Sequence, residues 1–173
     1  MKNYSFYLLL SGLIFSFLVS IGQEETTLVQ ISDPVPVFSY EKSPGIVQNI
    51  SELKGKTVLI TFFATWCGPC RKELPFIQAE IYNKYKNSPK FEVLIFGREH
   101  SWEEVSNFKA ENKFSMPFYP DPERKIYSLF AGQYIPRNFL VSAEGKILFS
   151  SVGFEEKDFE TLKKLIEKQV KNK

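Results

Sequence analysis

Cys67 and Cys70, separated by two residues, are the only cysteines among 173 residues. Bridged to each other they close a loop too short to staple a fold, so the pair is better explained by chemistry than by stability. The run before them, Thr57 to Ala64, is apolar, β-branched and aromatic almost throughout and reads as a strand buried on both faces. After them Pro69 opens a helix that carries Leu74, Ile77, Ile81 and Tyr85 at three- and four-residue spacing, with a kink expected at Pro75. A cysteine at a helix mouth faces unpaired amides and the positive end of the dipole, which favour its thiolate. Cys67 is therefore the expected attacking sulfur. A fall in its pKa from about 8.5 to about 7 would raise the thiolate share at neutral pH from a few per cent to roughly half. Cys70, one turn further in and within bridging reach, is the expected resolving sulfur. Zinc is the competing use of such a pair, but His100 is the single histidine and a fourth ligand is lacking, so no metal and no cofactor is expected. His100 itself is placed on a surface loop, Gly97-Arg98-Glu99-His100, with no catalytic role.

The elements that must hold this pair follow from periodicity. Phe91 to Phe96 reads as a second buried strand, so strand, helix and strand form a right-handed crossover and a parallel pair. Ser101, with Glu104 three residues on, caps a helix through Trp102, Val105 and Phe108 to about Asn112. Met116 to Tyr119 is extended, Glu123 to Phe130 a short helix, and Phe139 to Val141 with Lys146 to Phe149 an antiparallel hairpin about Ser142-Ala143-Glu144-Gly145. Glu155 to Val170 closes the chain as an amphipathic helix. Ahead of the first buried strand, residues 23 to 40 with Pro34 and Pro36 suit an extended edge strand, and Asn49 to Lys56 a helical turn stopped at Gly55.

The length suits one domain, and 43% hydrophobic with 16% aromatic residues can fill its core. The 22 basic and 20 acidic residues are scattered with no dense cationic block, which argues against nucleic acid as a partner. The N-terminus has the order of an export signal: Lys2, an uncharged apolar run from Tyr4 to Val19, small residues at Ser20 and Gly22, then Gln23-Glu24-Glu25. Residues 1 to 22 are expected to be a signal peptide or an uncleaved membrane anchor, and 23 to 173 the working domain outside the cytoplasm.

Trp66-Cys67-Gly68-Pro69-Cys70 resembles the thioredoxin active-site motif. The wider context resembles the TlpA/ResA-like branch of exported thioredoxin-like thiol-disulfide oxidoreductases. That context is Ile50 to Lys56, Phe62-Phe63-Ala64-Thr65-Trp66, Arg71-Lys72-Glu73-Leu74-Pro75, Ile135-Pro136-Arg137-Asn138-Phe139-Leu140-Val141 and Gly145. The resemblance covers about residue 33 to the end. It implies an α/β thioredoxin fold, a central mixed β-sheet flanked by helices, with an N-terminal strand extension and an inserted helix-containing segment. It implies that Pro136 is a cis-proline facing the sulfurs, that the Ile135 backbone pairs with an extended substrate, and that Trp66, Gly68 and Pro69 form the contact surface. Glu73 matches a glutamate that tunes cysteine protonation in this branch, while as a bare residue it also fits an exposed helix carboxylate. Two departures stand out. Thr61 replaces the buried Asp of cytoplasmic thioredoxins, and Arg137 replaces the usual Thr after the cis-proline. Arg137 is expected either to aim at Cys67 and favour its thiolate or to face solvent.

The resemblance implies an enzyme, a monomer, that exchanges protein thiols and disulfides in the cell envelope. The direction, reductase or oxidase, stays open on the motif alone, and Gly68-Pro69 with Ile135, which resemble reducing thioredoxins, favour a reductase recharged by a membrane redox partner and serving cytochrome c maturation or envelope thiol proteins. Partners are then proteins bearing disulfides or thiols. Two rivals are a peroxiredoxin-like thiol peroxidase and a non-catalytic substrate-binding or chaperone module on the same fold; the first fits poorly because Pro69-Cys70 is not a peroxidatic Thr/Ser-x-x-Cys loop.

Overall fold

The computed structural model describes residues 26–171, so the expected export segment, residues 1–22, lies outside the described residues. The elements in chain order begin with β1 (Ser39–Ser43), β2 (Ile46–Asn49), a 3-10 turn (Ile50–Leu53) and β3 (Thr57–Phe63). α1 (Gly68–Phe76) continues through a π-helical segment (Ile77–Tyr82) into α2 (Asn83–Tyr85), so the expected single helix is interrupted just after Pro75, whose ring removes a backbone donor. β4 (Phe91–Arg98), α3 (Trp102–Glu111), β5 (Tyr119–Asp121), α4 (Tyr127–Phe130), β6 (Arg137–Val141), β7 (Ile147–Val152) and α5 (Glu156–Lys171) complete the chain. Among the described residues no helix is long and apolar enough to cross a membrane.

The main sheet has the order β5-β4-β3-β6-β7. β3 runs parallel to β4 and antiparallel to β6, which makes the sheet mixed and buries all seven residues of β3. Helices and the N-terminal segment cover its two faces. Leu59 and Phe63 of β3 and Leu140 of β6 pack under α1, α3 and α5 with Leu74, Val105 and Leu162. Ile60, Phe62 and Phe139 pack on the other side with Val29, Phe38 and Phe130. Successive residues of a strand point to opposite faces, so this partition also decides on which side each polar residue of β3 and β6 emerges.

The lead-in departs from an edge strand. It pairs through isolated bridges outside the sheet strands, Thr27 with Ala131 at the end of α4 and Pro34 with Lys146 just before β7, and the paired N-terminal strands are the ribbon β1–β2, which the sequence reading missed. The Asn49 cap, its reciprocal bond with Glu52, and Gly55 at φ 91° match the expected stopped turn. The Ser101–Glu104 capping box is likewise formed.

Candidate functional site

Cys67 is the N-cap of α1, and its sulfur accepts the Cys70 amide at 3.2 Å. β3 ends at Phe63 and the chain turns through Ala64, Thr65 and Trp66 to reach that cap, held by the Cys67 amide donating to the Ala64 carbonyl at 3.1 Å. Cys67 and Cys70 are disulfide-bonded, with Cα atoms 5.3 Å apart. Cys70 is fully buried and Cys67 retains a sliver of exposure, so the two sulfurs differ in access in the expected sense. A thiolate released at Cys67 would sit against the open amides and positive pole of α1.

The Ile135–Pro136 peptide is cis, and the Ile135 carbonyl lies 3.7 Å from the Cys67 sulfur. The loop before it is pinned from inside. Tyr127 donates its hydroxyl to the Tyr134 carbonyl at 2.7 Å, and Arg137 donates through Nη2 to the Gln133 carbonyl at 2.6 Å. Trp66 is 66% exposed and Tyr134 60% exposed, and with Gly68, Pro69 and Ile135 they line a groove of about 390 Å³ that opens on Cys67. The geometry thus gathers Trp66, Cys67, Gly68, Pro69, Ile135 and Pro136 at one site.

Glu73 is not an exposed helix carboxylate. It is only 2% exposed, one turn past Cys70 on the buried face of α1, and burial raises its pKa from 4.5 to about 7 against the opposing effect of its bond to Asn138. Asn138 donates to Glu73 Oε1 at 2.7 Å and accepts from Thr61 Oγ1 at 2.8 Å, while Glu73 Oε2 has no partner among the described residues. Thr61 therefore serves as the anchor of the amide that holds Glu73. Sequence reading missed Asn138, whose only signal is a polar residue inside a strand otherwise apolar after Arg137.

Neither expectation for Arg137 holds. It faces Phe62 across the β6–β3 register, whereas Thr61 faces Asn138, so the one-residue offset sends its side chain to the sheet face away from α1. There it is fully buried, with its guanidinium donating to the Thr26 and Gln133 carbonyls and to Thr27 Oγ1. It ties the N-terminal segment to the cis-proline loop.

His100 is also misplaced by the sequence reading: it is buried, not on a surface loop. Its Nε2 accepts the Thr65 amide at 2.8 Å and its Nδ1 lies 3.0 Å from the Glu99 carbonyl, which assigns the proton to Nδ1. A Cβ on Gly97 would meet Val105 Cγ1 at 2.6 Å and His100 Cβ at 3.0 Å, so only glycine leaves room for the imidazole under the approach to the motif. Replacing His100 with Ala is expected to strip the Thr65 amide of its acceptor and lower the unfolding free energy by about 2 kcal/mol, read as a shift in the urea midpoint at unchanged slope.

A family model described as Redoxin matches residues 30–166. The thiol-disulfide oxidoreductase ResA of Bacillus cereus is 30% identical over 130 residues, covering 75% of this chain and 74% of the relative. ResA of Bacillus subtilis (strain 168) is 33% identical over 113 residues, 65% of this chain and 62% of the relative. A solution structure from Bacteroides thetaiotaomicron, described as a candidate protein disulfide isomerase, superimposes with a TM-score of 0.81 at 32% identity over 86% of this chain and 94% of that one. A crystal structure from Chlorobium tepidum, described as a candidate thiol:disulfide interchange protein DsbE, gives 0.69 at 28% identity over 82% and 99%.

Proposed function

The chain belongs to the Redoxin family, within the ResA-like group, and is a thioredoxin-like thiol-disulfide oxidoreductase; from that premise we propose that it reduces protein disulfides in the cell envelope through a Cys67/Cys70 cycle. The Cys67 thiolate attacks one sulfur of the substrate disulfide, forms a mixed disulfide and expels the other substrate sulfur as a thiolate. Cys70, deprotonated, then attacks Cys67, which forms the intramolecular bridge, breaks the mixed disulfide and frees the second substrate thiol. Two electrons pass to the substrate, and a membrane redox partner supplies two more that reduce the Cys67–Cys70 bridge to the dithiol again.

The observation that carries this reading is the Cys67–Cys70 bridge at the mouth of α1, beside a cis-proline loop and an aromatic groove. An extended substrate segment would lie in that groove along Ile135 and pair with its backbone as an added strand. Glu73, with a pKa near 7, is suited to accept and return the proton of Cys70 at neutral pH. The apolar run at residues 4–19 and the resemblance to an exported branch of thioredoxin-like proteins support delivery outside the cytoplasm, with residues 1–22 as signal peptide or anchor and 23–173 as the domain. Cytochrome c maturation is a fitting destination for the reducing electrons.

The test is trapping. Replacing Cys70 by Ser leaves the attack intact and removes the release step, so the variant should accumulate mixed disulfides with envelope proteins that reductant dissolves. Recovery of no cross-linked partner from Cys70→Ser, alongside wild-type protein that reduces no protein disulfide, would overturn the proposal.

A further inference from the structure

Among the described residues the groove at Cys67 carries one charged side chain, and the reduction mechanism makes no use of it. Arg98, the last residue of β4, lines the groove with its guanidinium 5.6 Å from the centre of the Trp66 ring and 5.3 Å from that of Tyr127. Its side chain is 13% exposed, and its Nε is buried with no partner among the described residues. Its ionic partner, Glu99, stands 3.5 Å from Nη2, is 46% exposed and is shared with Arg124 at 3.6 Å. Two guanidinium groups thus divide one solvated carboxylate. The groove's other lining residues carry no charge, and the N-terminal pole of α1 adds to the same positive field. An arginine held between two rings has lost rotamer freedom before any ligand arrives, and its planar donors suit a carboxylate.

We propose that Arg98 is a specificity-determining residue: the preferred substrate is an extended polypeptide that carries an Asp or Glu beside the cysteine attacked by Cys67. The aromatic rings of Trp66 and Tyr134 receive the apolar part of that segment, and Arg98 receives its carboxylate. A lysine at the same position would meet the guanidinium at short range and in partial shelter from water, where like charges repel more strongly than in bulk solution. The inference rests on the dithiol-exchange reading of the same site.

The test uses the full reduced protein and peptides joined by a disulfide, identical except for Glu, Gln or Lys next to the reacting cysteine. The disulfide takes up two electrons as the Cys67–Cys70 bridge forms, and kcat/KM is followed for each peptide. Wild type is expected to favour the Glu over the Lys peptide by about tenfold at low ionic strength, and by much less in about 0.5 M salt. In Arg98→Met the ratio should fall to within about twofold, and in Arg98→Lys it should be partly retained. A wild-type ratio near one, a ratio that survives Arg98→Met, or a ratio indifferent to salt overturns the proposal. The salt series uses wild type alone and decides the matter even if Arg98→Met fails to fold. Dependence on Arg98 for oxidised glutathione but not for the peptides would also overturn it, since the carboxylate read would then be that of a small disulfide. Equal turnover of all three peptides refutes only the charge preference, whereas no exchange with any of them refutes the underlying dithiol reading.

Discussion

Serine in place of Cys67 is expected to lower protein-disulfide reduction by at least about 1000-fold, to the level of the reaction without protein. A hydroxyl at this position keeps the size and the capping geometry of the sulfur but does not ionise near neutral pH, and disulfide exchange requires an anion as attacker. The fold should survive, because the change removes a bridge that closes only the loop from Cys67 to Cys70. Insulin reduction, followed by turbidity, gives the rate. A variant that keeps more than about a tenth of wild-type turnover would show that Cys67 is not the attacking group. The same measurement separates the enzyme from a substrate-binding module, whose action would be indifferent to the substitution. Cys70→Ser differs in kind: attack continues and release stops, so the two variants fail at successive steps.

Glu73→Gln is expected to stabilise the disulfide form by about 3 kcal/mol at pH 8 and to change it little at pH 4. The sign follows from proton counting. Burial raises the carboxyl pKa from 4.5 in the unfolded chain to about 7 in the fold, so between these values the folded state holds a proton that the unfolded state has released. Stability is therefore fully present below about pH 4.5, falls as pH rises to about 7, and is level above it. Glutamine mimics the protonated side chain: it can still accept from Asn138 and carries no charge to bury. Urea unfolding at pH 4, 6 and 8 measures the divergence, and parallel curves for the two proteins would refute the assignment. If Glu73 also manages the Cys70 proton, the more stable variant is the slower enzyme, and its rate loses the inflection near pH 7. A buried carboxylate with one oxygen unpartnered among the described residues is costly to keep, which suits a group retained for proton transfer rather than for stability.

Much of the site is local, and local features are legible in a sequence. Cys67, Pro69 and Cys70 lie within four residues, the buried run Thr57 to Phe63 ends just before them, and the Ser101–Glu104 cap is formed by groups three residues apart. Periodicity and spacing decide such features because the interacting groups are neighbours along the chain. The cis bond at Pro136 is implied by the family resemblance and by no local pattern of residues.

What the sequence did not disclose depends on which face of the sheet a residue occupies and on what packs there. Arg137 and Asn138 are adjacent, yet one ties Thr26 to the cis-proline loop and the other holds Glu73, because the pleat sends them to opposite faces and the pairing of β6 with β3 sets which goes where. Glu73 and Thr61 meet Asn138 across 65 and 77 residues, and His100 reaches Thr65 across 35. No periodicity in a single chain records those distances. The order of residues alone was enough to mark the reactive pair and the elements that present it, since their physics is that of near neighbours. The protonation environment of Glu73, the burial of His100 and Arg137 and the cation beside Cys67 came into view with the folded chain, because burial and charge pairing arise when distant segments displace water from one another.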